Sequence, residues 1–425
     1  MPRARDLGLP FPGTPGPLNA ITDVAGVSVG FCTLQDPARH MRTGVTAIIP
    51  RMDAGNPEPV RAGQATLNGN GEMTGTHWIK DGGYFLGPVL VTNTHGIGAC
   101  HTGATRWMID RYPDHFRTGI AWAMPVVAET YDGILNDINA MFVQPEHAVH
   151  ALNSATSGPV AEGAVGGGTG MIAYEFKAGT GTASRRVTVG DETYTVGVLV
   201  QANHGKRPWF NVLGQPVGRL MPFEGLVPKE TGSIIVVIAT DAPLSTISLT
   251  HLARRAGLGL GRGGTPGGNS SGDIFLAFST APFGAMPQSA GALIPQVELN
   301  AELIDPVYLA AVEAVEESVV NAIVAGTDTL CWADESGFIH NFDLNALQDR
   351  TLAGSIQQIA TTVYFRGHTG ENNVDHKQWT FVQFELSSWN PTYSMSAVFD
   401  GVNEIYAIAT NETKSRTAYY TYGSG

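Results

Sequence analysis

The chain has 425 residues, of which 43% are hydrophobic and only 15% charged, with a formal net charge of −13. That length holds one large core or two domains, and an acidic balance without any Lys/Arg cluster argues against nucleic acid or an anionic membrane as partner. Three cysteines without a CxxC pair argue against a disulfide scaffold or a zinc ribbon, and no run of 18 apolar residues or signal-like leader occurs, so a cytoplasmic protein is expected.

In chain order, "VTAIIP" (45–50) and "GPVLVT" (87–92) are short apolar runs closed by turn residues, as buried strands are. "THGIGACHTG" (94–103) carries His95, Cys100 and His101, but with no HExxH and no second cluster no metal is expected. "PVVAETYDG" (125–133) closes an apolar strand with Glu129, Thr130 and Tyr131. An acid and a phenol are thereby delivered at a strand terminus, although an ordinary surface turn accounts for them more simply.

The glycine loop "EGAVGGGTGM" (162–171) fits no GxGxxG register and no Gly-Lys-Ser/Thr follows. It reads as a tight turn or a wall of backbone amides, and no nucleotide cofactor is expected. "YTVGVLVQAN" (194–203) and "GSIIVVIATDAP" (232–243) are further buried strands, the first ending in the carboxamide of Asn203. "STISLTHLARRAGLGL" (245–260) offers Ser245 or Thr246 as N-cap and places Leu249, Leu252, Ala253 and Ala256 on one helical face.

"GGTPGGNSSGD" (263–273) then runs straight into "IFLAFS" (274–279). Gly268-x-Ser270-x-Gly272 has the letters of a nucleophile elbow, but an elbow follows a strand and opens a helix, the reverse of the order here. A serine can also be activated by becoming the first residue of a chain, its own α-amine acting as base. That requires cutting the preceding bond, and a flexible glycine approach that lays the Asn269 carbonyl against the hydroxyl suits an acyl shift by the serine itself. A glycine turn with ordinary hydroxyl caps is the alternative.

"DPVYLAAVEAVEESVVNAIVAG" (305–326) has Asp305 as N-cap and Pro306 at the first helical position, and reads as an amphipathic helix. Composition shifts after Leu330: the last 95 residues hold three of the seven tryptophans and six of the twelve tyrosines. "WTFVQFEL" (379–386) is a candidate strand, and "YSMSAVFDGVNEIYAI" (393–408) alternates about Asp400-Gly401 as a hairpin does. The expected domains are therefore 1–330 and a β-rich extension, 331–425, serving packing or oligomerisation, with ligand binding as the alternative.

Several blocks together resemble the L-aminopeptidase/D-esterase (β-peptidyl aminopeptidase) family of self-processing N-terminal-serine hydrolases. They are "PRARDLGLPFPGTPGPLNAITDVAGVSVG" (2–30), "RTGVTAIIP" (42–50), "PVVAETYDG", "GPVAEGAVGGGTGMIAYEFKAGTGTASR" (158–185), "GVLVQANHG", "IVVIATDAPL" (235–244) and "GGNSSGDIFLAFSTA" (267–281), in the family's order. The resemblance implies an α/β fold, a four-layer αββα sandwich related to ornithine acetyltransferases. It implies self-cleavage at Asn269–Ser270, giving an α chain 1–269 and a β chain from Ser270, with Ser271 the alternative register. By the same resemblance Ser270 is the nucleophile, Glu129 holds the substrate's ammonium, Tyr131 is the active-site phenol and Asn203 stabilises the oxyanion. Glu302 in "LNAELIDPVY" is the best match to a family acid that positions the new amine, although the companion serine is absent at 300 and 301.

The function so implied is a serine aminopeptidase without cofactor or metal, acting on small peptides, amino-acid amides or esters with α- or β-amino groups. A homo-oligomer of processed α/β heterodimers is the expected assembly. Two other readings fit the residues: an acyltransferase working through the same acyl-enzyme, and a non-enzymatic scaffold presenting a carbohydrate- or protein-binding β module.

Overall fold

Two sheets take up the apolar runs of the first 326 residues. The computed structural model describes residues 3–51, 57–117, 122–221, 229–230, 232–282, 284 and 287–326, and strand backbone at 331–333, 339–341, 393–399 and 402–408. The elements begin with β1 (Ser28–Asp36), β2 (Met41–Ile49), β3 (Pro59–Gly69), α1 (Thr76–Gly82), β4 (Tyr84–Leu86), β5 (Val89–Asn93), α2 (Ile97–Arg111), α3 (Pro113–Arg117), β6 (Val126–Thr130) and α4 (Pro145–Asn153). They continue with β7 (Ile172–Ala173), β8 (Phe176–Lys177), β9 (Thr180–Val189), β10 (Glu192–Asn203), α5 (Val217–Leu220), β11 (Ser233–Thr240), α6 (Thr246–Arg262), β12 (Gly272–Ser279) and α7 (Asp305–Gly326).

The smaller sheet has the order β1-β2-β5-β6 and the larger β4-β3-β12-β11-β10-β9. Every residue of β11 and of β12 is buried, as continuous apolar strands covered on both faces should be. Their side chains alternate between two cores. Ile235, Val237, Ile274, Leu276 and Phe278 meet Val89, Val91, Val126 and Ala128 between the sheets. Ile234, Val236, Ile238, Phe275 and Ala277 instead meet α6 and α7. On the far side Val45, Ala47, Leu90 and Val127 pack against Cys100, Trp107, Ala148 and Leu152 of α2 and α4. The described residues thus stack helix, sheet, sheet and helix, the α/β arrangement expected.

Helix α6 buries the face read from its spacing, and the Ser245 hydroxyl caps it by accepting from the Ser248 amide at 3.2 Å. Helix α7 departs from expectation. Rather than being amphipathic, it is buried at every position from Val307 to Gly326 except Leu309. Its carboxylates are inside because arginines meet them there: Glu317 pairs with Arg5 and Arg185, and Glu316 with Arg262. The abundant glycine lets these helices lie close on the sheet. A Cβ at Gly181 would fall 2.0 Å from the Ser318 carbonyl oxygen, and one at Gly63 2.2 Å from the Thr250 nitrogen.

The chain divides into two compact units, Met1–Arg350 and Thr351–Gly425. Within the first, β13 (Cys331–Ala333) pairs with β14 (Ile339–Asn341). Within the second, β15 (Tyr393–Phe399) pairs antiparallel with β16 (Val402–Ile408), the hairpin expected from the alternation. The candidate strand 379–386 and the turn Asp400-Gly401 lie outside the described residues. Among the described residues no helix is long and apolar enough to cross a membrane.

Candidate active site

Strand β12 occupies the middle of the larger sheet, parallel to β11 and antiparallel to β3. The passage from α6 back to its first residue, Gly272, must squeeze between neighbours. Gly267 adopts a left-handed φ of 69°, and a Cβ on Gly268 would lie 1.9 Å from the Glu230 Oε2. The passage ends in a turn in which the Ser271 amide donates to the Gly268 carbonyl at 2.9 Å. Asn269 is exposed at its corner, Ser270 is half-buried and Ser271 is buried. The order is loop, serine, strand, which is not the order of an elbow.

Side chains from β3 and the segment after it hold this turn. Asn68 Nδ2 donates to the Gly268 carbonyl at 3.0 Å and to Asp273 Oδ2 at 3.3 Å. Asn70 Nδ2 donates to the Ser270 carbonyl at 2.7 Å. The Ser271 hydroxyl donates to Asp273 Oδ1 at 2.5 Å. Burial pushes the Asp273 carboxyl up from its ordinary value, against the hydrogen bond from Ser271.

Glu129 stands at the end of β6, level with Thr92 of β5, and is 4% exposed. One carboxylate oxygen accepts from the Glu72 amide at 3.1 Å and the other from the Thr94 hydroxyl. Burial raises its carboxyl above the ordinary range, and Glu72 and Asp132 add like charge, with no cation among the described residues acting on it. Gly71 joins this acid to the serines: a Cβ there would meet Glu129 Oε1 at 2.9 Å and the Gly272 Cα at 3.5 Å.

Asn203 ends β10 opposite Ser233, which is itself opposite Gly272. It is therefore two strands from the serine turn, about 10 Å across the sheet. Its Nδ2 donates to the Tyr131 carbonyl at 2.8 Å, and its Oδ1 accepts from the Ile172 amide at 3.0 Å. One Nδ2 hydrogen is left over from that pairing. The Tyr131 ring is 42% exposed. Glu129, Tyr131, Asn203, Asn269, Ser270 and Ser271 are thus gathered at one end of the sheets.

Glu302, by contrast, is not gathered with them. It is exposed in a short 3-10 turn, three residues beyond Leu299, whose amide bonds the Pro243 carbonyl. Pro243 follows the C-terminal end of β11, whereas the serines precede the start of β12, and seven residue steps separate those ends by about 23 Å. Sequence reading in turn overlooked Asn68, Asn70, Asp273 and Glu230. The strand-end repeat "NGNGE" (68–72) could have flagged the two asparagines, but nothing local marks Glu230, which the fold alone brings to Gly268.

Other titratable groups fall elsewhere. His95 Nδ1 is 3.1 Å from the Ile138 carbonyl oxygen, and Cys100 is a core residue whose thiol burial pushes up to about 12. His204 is buried with neither ring nitrogen bonded among the described residues, and burial lowers it to about 4, so it is neutral at pH 7.

Residues 19–335 match the model of peptidase family S58. The chain belongs to this family. It is 49% identical over 354 residues to the β-peptidyl aminopeptidase BapA of Sphingosinicella microcystinivorans, covering 77% of this chain and 87% of that one. Among solved structures it is similar to the L-aminopeptidase D-Ala-esterase/amidase of Ochrobactrum anthropi, described as a prototype serine aminopeptidase and a variant of the Ntn hydrolase fold. That likeness has a TM-score of 0.74 and 53% identity, covering 83% of this chain and 98% of the other. A Burkholderia sp. β-aminopeptidase matches with a TM-score of 0.69 and 43% identity, covering 84% and 100%. This S58 protein is accordingly an N-terminal serine aminopeptidase, a hydrolase.

Proposed function

We propose that the protein cuts itself before Ser270, with Ser271 the alternative register, and then releases N-terminal residues from small peptides, amides or esters. The observation that carries this reading is the buried Glu129 beside the head of β12, which meets no cation among the described residues. In the working enzyme Glu129 takes the substrate's free ammonium, which fixes the first carbonyl over the serine. A serine of the pair attacks, its α-amine taking the hydroxyl proton and returning it to the leaving amine. The remaining Asn203 amide hydrogen faces the oxyanion, a donor worth about 3 kcal/mol in the transition state. Tyr131 borders the same space with its phenol, and water then releases the amino acid from the acyl-enzyme.

Both α-amino and β-amino substrates belong to the proposal, because the relatives' names span L-aminopeptidase, D-Ala-esterase/amidase and β-peptidyl activities. We further infer a relation in fold to ornithine acetyltransferases, an aminopeptidase domain over 1–330 with an extension from 331, a cytoplasmic location, and an oligomer of processed α/β pairs. The ammonium role is checked by comparing an amino-acid p-nitroanilide with its N-acetyl form. Acetylation is expected to lower kcat/KM at least ~100-fold, the scale of a lost buried charge pair. Equal rates on the two substrates would refute it.

A further inference from the structure

Self-processing poses a chemical problem that the mature site does not. The α-amine that serves as base in the finished enzyme is still part of a peptide bond in the intact chain, so the first cut needs another base. The contacts around the turn converge on one bond, and it is not the bond before Ser270. The carbonyl of Ser270 accepts from Asn70 Nδ2 at 2.7 Å. The amide nitrogen of the same bond, Ser271 N, donates to the Gly268 carbonyl at 2.9 Å. The next hydroxyl, Ser271 Oγ, donates to Asp273 Oδ1 at 2.5 Å. Among the described residues no donor is aimed at the Asn269 carbonyl, and the half-buried Ser270 hydroxyl meets no carboxylate.

We propose that the chain cuts itself between Ser270 and Ser271, with Asp273 as the base and Asn70 as the oxyanion donor of that maturation step. The proposal rests on the self-processing reading above and moves the expected cut by one residue. Asp273 takes the proton of Ser271 Oγ as the oxygen bonds to the Ser270 carbonyl carbon. The carbonyl oxygen becomes an oxyanion held by the Asn70 amide. The carbon–nitrogen bond then breaks, Asp273 returns its proton to the leaving nitrogen, and Ser270 is left esterified to Ser271 Oγ. Water hydrolyses that ester, giving the Ser270 carboxylate, a free Ser271 hydroxyl and a new α-amine on Ser271. That amine then serves as the base for substrates.

Geometry explains why Asp273 suits this step. It is the second residue of a fully buried central strand, fixed by Asn68 on one oxygen and Ser271 on the other. The hydroxyl proton therefore has one acceptor and needs no side-chain movement to reach it. Low-dielectric burial, which pushes the carboxyl up, also makes it a stronger base than an exposed aspartate. Asn70, by contrast, lies on the exposed segment after β3, so its removal leaves the core untouched.

The test follows maturation of the full chain on denaturing gels, with N-terminal sequencing of the smaller fragment. Wild type is expected to give a fragment beginning Ser-Gly-Asp, and Ser271→Ala an intact 45.0 kDa chain. Asp273→Asn and Asn70→Ala are each expected to slow cleavage at least ~100-fold, the range of base and oxyanion-donor losses. A fragment beginning Ser-Ser-Gly-Asp, or cutting by Ser271→Ala, overturns the proposal while leaving self-processing intact. A wild-type chain that never cuts overturns both. Should Asp273→Asn fail to fold, Asn70→Ala decides: cleavage at the wild-type rate by this surface variant overturns the proposal.

Discussion

Glu129→Gln is expected to lower kcat/KM on a free-amine substrate about 100-fold and, at the same time, to raise the melting temperature at pH 8. The activity loss follows from removing a buried negative charge that meets an ammonium. Breaking one side of such a pair costs about 2–5 kcal/mol, and each 1.4 kcal/mol is about tenfold. The loss should vanish for N-acetyl substrates, which offer no charge to bind.

The gain in stability follows from the direction in which the fold moves the Glu129 carboxyl. Burial raises it above its unfolded value near 4.3, so across the interval between the two values the folded state binds more protons than the unfolded one. Stability contributed by this group therefore falls as pH rises through that interval. The neutral glutamine escapes the penalty, while its amide still meets the Thr94 hydroxyl and the Glu72 amide. Its advantage should be larger at pH 8 than at pH 4, because the cost of charging the buried carboxyl grows as pH rises. Thermal unfolding of both proteins at the two pH values tests this. Equal melting temperatures at pH 8 would mean that the free acid is not strained by its burial.

Glu129, Tyr131 and Asn203 were legible because each closes an apolar run, and strand ends are where a two-sheet fold delivers side chains to a common rim. The central strand was legible for the same reason, its apolar letters being continuous. Helix α7 was not, since "VEAVEES" reads as a polar stripe until the arginines that neutralise it are known, and these lie as far away as Arg5 and Arg185. Glu302 failed because its sequence distance from the serines says nothing of direction. The chain runs the length of β12 and emerges at the other end before reaching it. Asp273 was in plain view beside the serines, but its role depends on a 2.5 Å contact that spacing alone does not specify.

Glu317→Ala should be the most damaging single change to stability, costing about 3–5 kcal/mol, because it strands a buried charge. Glu317 accepts from Arg185 Nη2 at 2.6 Å, from Asn19 Nδ2 at 2.6 Å and from Arg5 Nε at 2.9 Å. Arg185 and Glu317 are both almost wholly buried. Without Glu317, Arg185 retains only Glu313, at 3.5 Å, as an ionic partner among the described residues, whereas Arg5, partly exposed, can return to water. Replacing both ends by apolar groups, Arg185→Met with Glu317→Leu, removes the stranded charge and should cost less than Glu317→Ala alone. Urea unfolding midpoints of wild type and the two variants check the order, and a double variant that loses as much as Glu317→Ala or more would show that the stranded charge is not the cause. The pair also spans the proposed cut. Arg5 and Arg185 lie before it, and α7, with Glu313 and Glu317, lies after it, so the network ties the two fragments together along with the β11–β12–β3 ladder. Glu317→Ala should therefore let the mature fragments part at lower urea than the uncut Ser271→Ala chain carrying the same change, in which the covalent link survives.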